Sequence, residues 1–421
     1  MQPTELFQYF LKIRNKTEEI CAPLAIEDYV VQPVIDVSPP KWHLAHTTWF
    51  FETFVLKAFK KDYREFHRTY NFLFNSYYES IGERTDRAQR GYMTRPTVQE
   101  ILTYRAYVNE NINELLLKNG AEGFKKISEL IILGLNHEQQ HQELLVTDLK
   151  YILLASNPLY PVYREDLFKK QPFKSESSKS TFIEIPGGMT EIGYKGDGFF
   201  WDNEQPVFTT FISDFSIQNR PVTNREYIEF MDAGGYENFR YWLSEAWMMV
   251  ETEQWKSPMY WEKIDGEWHE ITLGGVRKVE PDAPVCHVNY FEADAYASWA
   301  KKRLPTEFEW EYACNVLKAE VRDGNFLDND NYHPLPADTF KNGASQLLGD
   351  IWEWTGSAYL AYPGFRPQEG ALGEYNGKFM INQMVLRGGS CATPRDHIRS
   401  TYRNFFPPDK RWQFSGIRLA E

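Results

Sequence analysis

The run Leu135-Asn136-His137-Glu138-Gln139-Gln140-His141-Gln142-Glu143 sets two histidines four residues apart. On a helix both imidazoles leave one face, about one turn apart, and can grip a single metal ion. A third ligand has to come from another element. Trp42-His43-Leu44-Ala45-His46-Thr47 offers His43 and His46. They are three apart and share a helix face, so spacing does not choose between them. Three neutral imidazoles leave the charge of a divalent ion uncompensated and several coordination positions open. Such a site favours an anionic substrate ligand, for instance a thiolate, with room for O2. Zinc with a hydrolytic water is the competing chemistry. Glu138 or Glu143 could orient a ring from behind, although carboxylates on a helix are more often solvated.

The elements that must position these residues read as helices. Ser38-Pro39-Pro40 is a helix start, with Ser38 as N-cap and proline in the first turn, and predicts a helix from about Lys41 to Phe59. A loop-like stretch over 61–95 is rich in Tyr, Arg and Gly. Thr97-Val98-Gln99-Glu100 is a capping box, followed by apolar residues at Val98, Ile101, Leu102, Val108, Ile112, Leu115 and Leu116 and ended by Asn119-Gly120. A last helix is predicted from about Gly123 to Leu154. With a helix over 3–20, residues 1–155 read as a four-helix bundle. Residues 156–180 lack a clear period and end in a Lys/Ser/Glu tract, the composition of a polar linker. From Thr181 onward helices are sparse. Capping boxes predict helices near Thr223 and Thr306, and another is expected over Phe291–Lys301. The remainder of 181–421 reads as short strands and long loops, so the chain is α+β with two domains.

Composition narrows the function. The 421 residues carry 46 basic and 59 acidic side chains, a net charge of −13. That balance argues against nucleic-acid binding and against docking on an anionic membrane. No run approaches a membrane span and the N-terminus lacks an apolar leader core, so a cytoplasmic location is expected. Cys21, Cys286, Cys314 and Cys391 form no CxxC pair, which suits a reducing compartment and excludes a thiolate zinc site. Aromatic residues make up 16% of the chain and can line pockets for cations.

The second half carries denser motifs. Arg303-Leu304-Pro305-Thr306-Glu307-Phe308-Glu309-Trp310-Glu311-Tyr312-Ala313 resembles a signature segment of the formylglycine-generating/sulfatase-modifying family. So do Pro221-Val222-Thr223-Asn224, Gly349-Asp350-Ile351-Trp352-Glu353-Trp354-Thr355, Arg387-Gly388-Gly389-Ser390 and Phe414-Ser415-Gly416-Ile417-Arg418. The resemblance spans about 181–421 and implies a C-type-lectin-like α+β fold. The cysteine pair that formylglycine-generating enzymes need is missing, since Cys391 stands alone after the Arg-Gly-Gly-Ser segment. Residues 1–155, with Leu44-Ala45-His46 and the His137–Glu143 run, look like a DinB-type metal-binding bundle. The two domains in this order resemble the ergothioneine-biosynthesis sulfoxide synthases. The resemblance implies a mononuclear iron(II) enzyme that uses O2 to join a thiol to an imidazole carbon. It implies His46, His137 and His141 as ligands and leaves His43 a packing or hydrogen-bonding role.

The same resemblance implies small-molecule substrates, N-α-trimethylhistidine (hercynine) and a thiol. Gln140 and Asn404 become candidates for the hercynine carboxylate side, with Phe405 and Phe406 lining its pocket. The thiol side departs from the branch that uses γ-glutamylcysteine. That branch has an acidic residue two positions after the Arg-Asn pair and an arginine four further on; here the positions hold Phe406 and Lys410. The tail is similar to the branch that accepts L-cysteine. In that branch a paired tyrosine serves the oxygen chemistry, matched by Tyr77 and Tyr78, and two arginines hold the cysteine carboxylate, matched by Arg87 and Arg90. Tyr359 and Tyr362 are reserve donors. Alternatives are attachment at C5 of histidine, a selenium donor, a zinc-dependent hydrolase or thiol transferase on the same bundle, and a non-catalytic ligand-binding protein.

Overall fold

A computed structural model describes residues 1–76, 78, 81–118, 121–156, 163, 179–337, 340, 342–367, 373 and 376–421. The chain forms two compact units, the first built mainly from Met1–Asn157 and the second from Pro158–Gln368 with Asn376–Glu421. No helix among the described residues is long and apolar enough to cross a membrane.

The first unit is helical. Its long helices are α1 (Pro3–Cys21), α2 (Pro40–Phe51), α3 (Val98–Lys118) and α4 (Ala121–Ser156). α2 runs on through a π-helical turn, Glu52–Leu56, to Phe59. α1 buries Leu6, Phe10, Ile13, Thr17 and Ile20, the stripe of a helix packed on one side, against α3 and α4. Every residue of α2 is buried, because α1, α3 and α4 all pack against it. α2 and α4 touch closely at Gly134, where a Cβ would lie 2.6 Å from the Phe51 ring. That approach, one turn before His137, lets side chains of the two helices meet. Thr97 and Glu100 exchange the reciprocal bonds that start α3.

Two local expectations change. The N-cap of α2 is Pro39, not Ser38, and no side chain caps the helix. The Ser38 hydroxyl is occupied as an acceptor for Arg90 Nη1 at 2.9 Å, and its N–H donates to Asp148 Oδ2 at 2.8 Å. Glu138 is neither solvated nor behind a histidine ring. It is fully buried on α4, paired with Arg14 of α1 at 2.8 Å and Arg105 of α3 at 3.0 Å, and accepts from the Thr17 hydroxyl at 2.7 Å. Those guanidiniums also bond the Thr48 hydroxyl and the Leu44 carbonyl of α2, so one buried carboxylate organises all four helices.

Among the described residues the second unit carries four small sheets. β1 (Phe182–Ile185) pairs with β4 (Phe215–Gln218), and β2 (Gly188–Ile192) with β3 (Phe208–Ile212). After α5 (Asn224–Asp232) and α6 (Ser244–Glu253), β5 (Trp261–Ile264), β6 (Glu267–Thr272) and β7 (Gly275–Lys278) form a meander. α7 (Tyr290–Trp299) and α8 (Glu307–Val316) follow. The central sheet is built from β8 (Trp352–Ala358), β9 (Met384–Arg387), β10 (Asn404–Phe406) and β11 (Ser415–Gly416), in the order β10-β9-β8-β11. Thr223, Asn289 and Thr306 cap α5, α7 and α8 with capping boxes. α6 lies where no helix was expected, because its N-cap Leu243 offers no side-chain signal.

The signature motifs build the core of this unit. Glu307 binds Arg387 at 2.9 Å and Arg403 at 2.8 Å, and Glu353 binds Arg418 at 2.7 Å and accepts from Trp310 Nε1 at 2.6 Å. All six side chains are buried, and buried Glu311, 3.0 Å from Arg387, supplies the third carboxylate, so each charge is matched inside the fold. Gly388 takes φ +103°, and a Cβ there would lie 2.8 Å from the Leu347 carbonyl. Only glycine fits that turn. The linker expected over 156–180 falls mostly outside the described residues. Tyr163, which is described, is buried and donates its N–H to the Leu273 carbonyl at 3.3 Å.

Candidate metal centre

α2 and α4 bring His46, His137 and His141 together, with one ring nitrogen from each lying within 4.8 Å of the others. His46 Nε2 and His137 Nε2 are 3.3 Å apart. All three rings are buried. Burial, with little water to solvate an imidazolium, holds His137 down to about 3. It also holds His46 and His141 well below the ordinary histidine range, reinforced by the neighbouring imidazoles. The three rings are therefore neutral at physiological pH, the form that binds metals.

The donors fit a divalent ion. The Phe74 carbonyl lies 2.6 Å from His46 Nδ1 and accepts only, so that nitrogen carries the proton and Nε2 offers its lone pair towards His137. Three neutral nitrogens suit Fe, Zn, Cu or Ni. The aromatic surround is dense. Trp42 stacks on His46 with centroids 4.5 Å apart, Trp49 runs parallel to it at 5.6 Å, and Phe50 packs on His137 at 4.9 Å.

Several other sequence candidates lie in this unit. Arg90 is buried, with its guanidinium 3.4 Å above the Trp42 ring and bonds to the Ser38 and Ser76 hydroxyls at 2.9 and 3.1 Å. Through Trp42 it flanks His46. Arg87 instead reaches the carbonyls of Ile35 and Asp36. Tyr78 is buried against Trp49 and Phe54, with ring centroids 5.7 and 5.1 Å apart. Tyr77 lies outside the described residues. Gln140 is half-buried on α4, as is Glu143.

The remaining candidates belong to the second unit. Asn404, Phe405 and Phe406 form β10 and are half-buried. Phe405 stacks on Tyr359 at 4.0 Å, and Phe406 meets Trp412 edge-on at 5.5 Å. Tyr359 and Tyr362 are core residues whose hydroxyls accept from Asn203 and Arg387 at 2.9 and 3.0 Å, and burial pushes both phenols up. The four cysteines are buried and none forms a disulfide.

Sequence reasoning left one part of the centre without a role. Asp148 is buried on α4 and reaches His43 Nε2 at 3.0 Å, while His43 Nδ1 lies 2.9 Å from His141 Nδ1. Asp148 stands seven residues after His141, two turns along the same face, and that spacing was the available signal.

Known proteins match both units. Residues 9–145 match the DinB superfamily, and residues 167–421 match the sulfatase-modifying factor enzyme 1-like domain. A hercynine oxygenase of Mycolicibacterium smegmatis is 34% identical over 311 residues, covering 68% of this chain and 70% of that protein. A hercynine oxygenase of Mycobacterium tuberculosis is 37% identical over 238 residues, 52% of this chain and 55% of that one. Ergothioneine biosynthesis protein 1 of Schizosaccharomyces pombe is 29% identical over 53% of this chain and 28% of its own length. With both domains matched in order and an extended match to a relative above 30% identity, the chain belongs to the hercynine oxygenase family.

Proposed function

We propose that the chain is an iron(II)- and O2-dependent sulfoxide synthase that joins the sulfur of L-cysteine to C2 of the hercynine imidazole. The observation that carries this reading is the buried cluster of three neutral histidines, with no carboxylate in it among the described residues. A divalent ion held there keeps its charge for anionic ligands from substrate. The names of the relatives favour hercynine as the imidazole partner. Iron(II), when bound by His46, His137 and His141, supplies Lewis acidity towards the thiolate and electron transfer to O2.

The overall change balances without another reductant. Cysteine S–H, imidazole C2–H and O2 give the C–S bond with one oxygen on sulfur, and the second oxygen leaves as water with the two hydrogens. The protein must therefore manage protons near the oxygen. Tyr78 is our candidate donor, because its ring packs on Trp49, which lies along His46. An ordinary phenol titrates near 10 and is protonated at neutral pH. Arg90 supplies a fixed positive charge beside Trp42 and suits a substrate carboxylate. The roles of Tyr77, Arg87, Gln140, Asn404, Phe405 and Phe406 enter this proposal on the resemblance alone.

One incubation tests the substrate assignment. Iron-loaded protein is given hercynine or histidine with cysteine or γ-glutamylcysteine, and products are read by mass. A sulfoxide adduct from cysteine and hercynine is the expected result. An adduct from γ-glutamylcysteine only would overturn the reading of Phe406 and Lys410. Stoichiometric zinc binding without oxygen uptake by the iron-loaded protein would end the redox reading. For the donor, Tyr78→Phe should lower sulfoxide formation by about 100-fold or more with iron affinity unchanged. Full turnover in Tyr78→Phe would move the role to Tyr77, and full turnover in both single variants would move it to Tyr362.

A further inference from the structure

We propose that Asp148 and His43 are positioning residues for the metal centre: the carboxylate, acting through the His43 imidazole, fixes His141 in the tautomer that presents Nε2 to the ion. This rests on the reading of His46, His137 and His141 as metal ligands.

Asp148 Oδ2 accepts the Ser38 N–H at 2.8 Å and faces His43 Nε2 at 3.0 Å. A carboxylate has nothing to donate, so His43 Nε2 carries a proton. The other His43 nitrogen, Nδ1, lies 2.9 Å from His141 Nδ1, so one proton bridges the two rings. With that proton on His141 Nδ1, His43 Nδ1 is the acceptor and Nε2 is the nitrogen of His141 left for the ion. His43, His141 and Asp148 are all buried, at 2%, 6% and 3% exposure, so water does not compete for these bonds.

The arrangement gives His46 and His141 each a dedicated proton acceptor. For His46 it is the Phe74 carbonyl. For His141 it is a carboxylate at one remove. Partners of this kind set ring orientation and raise ligand basicity, and their loss typically weakens metal binding about 10–100-fold. Among the described residues the three-histidine cluster has no anion of its own, and Asp148 brings a negative charge to it through hydrogen bonds. Asp148 also accepts from the segment that leads into α2 while standing on α4, so one carboxylate sets the spacing of the two ligand-bearing helices.

The test uses the full chain, metal-free, with Co(II) as probe. In protein labelled with 15N-histidine, the imidazole signals of His141, assigned by their loss in His141→Ala, should report a protonated Nδ1. Asp148→Asn should weaken Co(II) binding about 10–100-fold and change its visible spectrum, whereas Asp148→Glu should restore part of the affinity. Asparagine can still accept the Ser38 N–H, so the metal-free variant keeps its fold, checked by its thermal midpoint. A His141 protonated at Nε2, or equal Co(II) affinity and spectra in wild type and Asp148→Asn, overturns the proposal. Should Asp148→Asn not fold, the wild-type tautomer decides alone. A wild-type chain that binds neither Co(II) nor Fe(II) defeats the metal reading instead, while the tautomer still tests the hydrogen-bond relay.

Discussion

His137→Ala should abolish tight iron(II) binding and, with it, sulfoxide formation. His137 Nε2 faces His46 Nε2 at 3.3 Å, so the substitution removes one of three converging donors. Loss of a partner one bond further out already costs about 10–100-fold in metal affinity. Loss of the ligand should therefore exceed 100-fold. Turnover should fall by about 1,000-fold or more, since the metal contributes several kcal/mol and each 1.4 kcal/mol is a factor of ten. The fold should survive. Burial holds the His137 imidazole at about 3, so a neutral ring is removed and no charge is stranded. Anaerobic iron titration and product mass together check the prediction. Wild-type turnover in this variant would remove His137 from the ligand set and overturn the three-histidine centre.

The centre was legible in the sequence where helical spacing carries it. His137 and His141 are four apart on an uninterrupted helix, and spacing placed both His43 and His46 on one face of α2. What separates the latter two is the crossing of α2 and α4 at Gly134, a contact between residues more than eighty apart in sequence. Asp148 escaped notice for a different reason. Most carboxylates on helices are solvated, and only burial on all sides turns one into a partner for a ring. In the second unit, capping boxes announced α5 and α8 because Thr223 and Thr306 make their bonds within four residues. α6 has no such local signal. The strands were read only as short and scattered, because pairings such as β11 with β8 join segments far apart in the chain. The signature motifs revealed the fold before any chemistry, and Glu307, Glu353 and Trp310 show why: their side chains hold buried guanidiniums or one another.

Glu138→Gln should destabilise the helical unit by about 3–5 kcal/mol, the usual cost of removing one partner from a buried ion group. The neighbouring His137 faces the candidate metal, whereas Glu138 points the other way, between two buried arginines. Burial pushes its carboxyl up, but the Arg14 and Arg105 guanidiniums overcome that and hold it at about 2. A folded value below the ordinary 4.5 means that the native state binds fewer protons than the unfolded chain. Its stabilisation is therefore fully present above pH 4.5 and disappears as pH falls towards 2. Glutamine imitates the protonated acid, so the gap between wild type and Glu138→Gln should be largest at neutral pH and should close through that window. Hydrogen exchange read by mass on peptides from α1, α3 and α4 measures this unit separately from the rest of the chain. At pH 7 protection should drop by about 100-fold or more, from 1.4 kcal/mol per factor of ten. Glu129→Gln, on the exposed side of the same helix, should change it by less than about 0.5 kcal/mol. Equal protection in Glu138→Gln and wild type would mean that the Arg14–Glu138–Arg105 group fixes how the helices meet without adding to their stability. In that case the triad serves the placement of His137 and His141, and its loss should instead appear as weakened metal binding in a fully folded bundle.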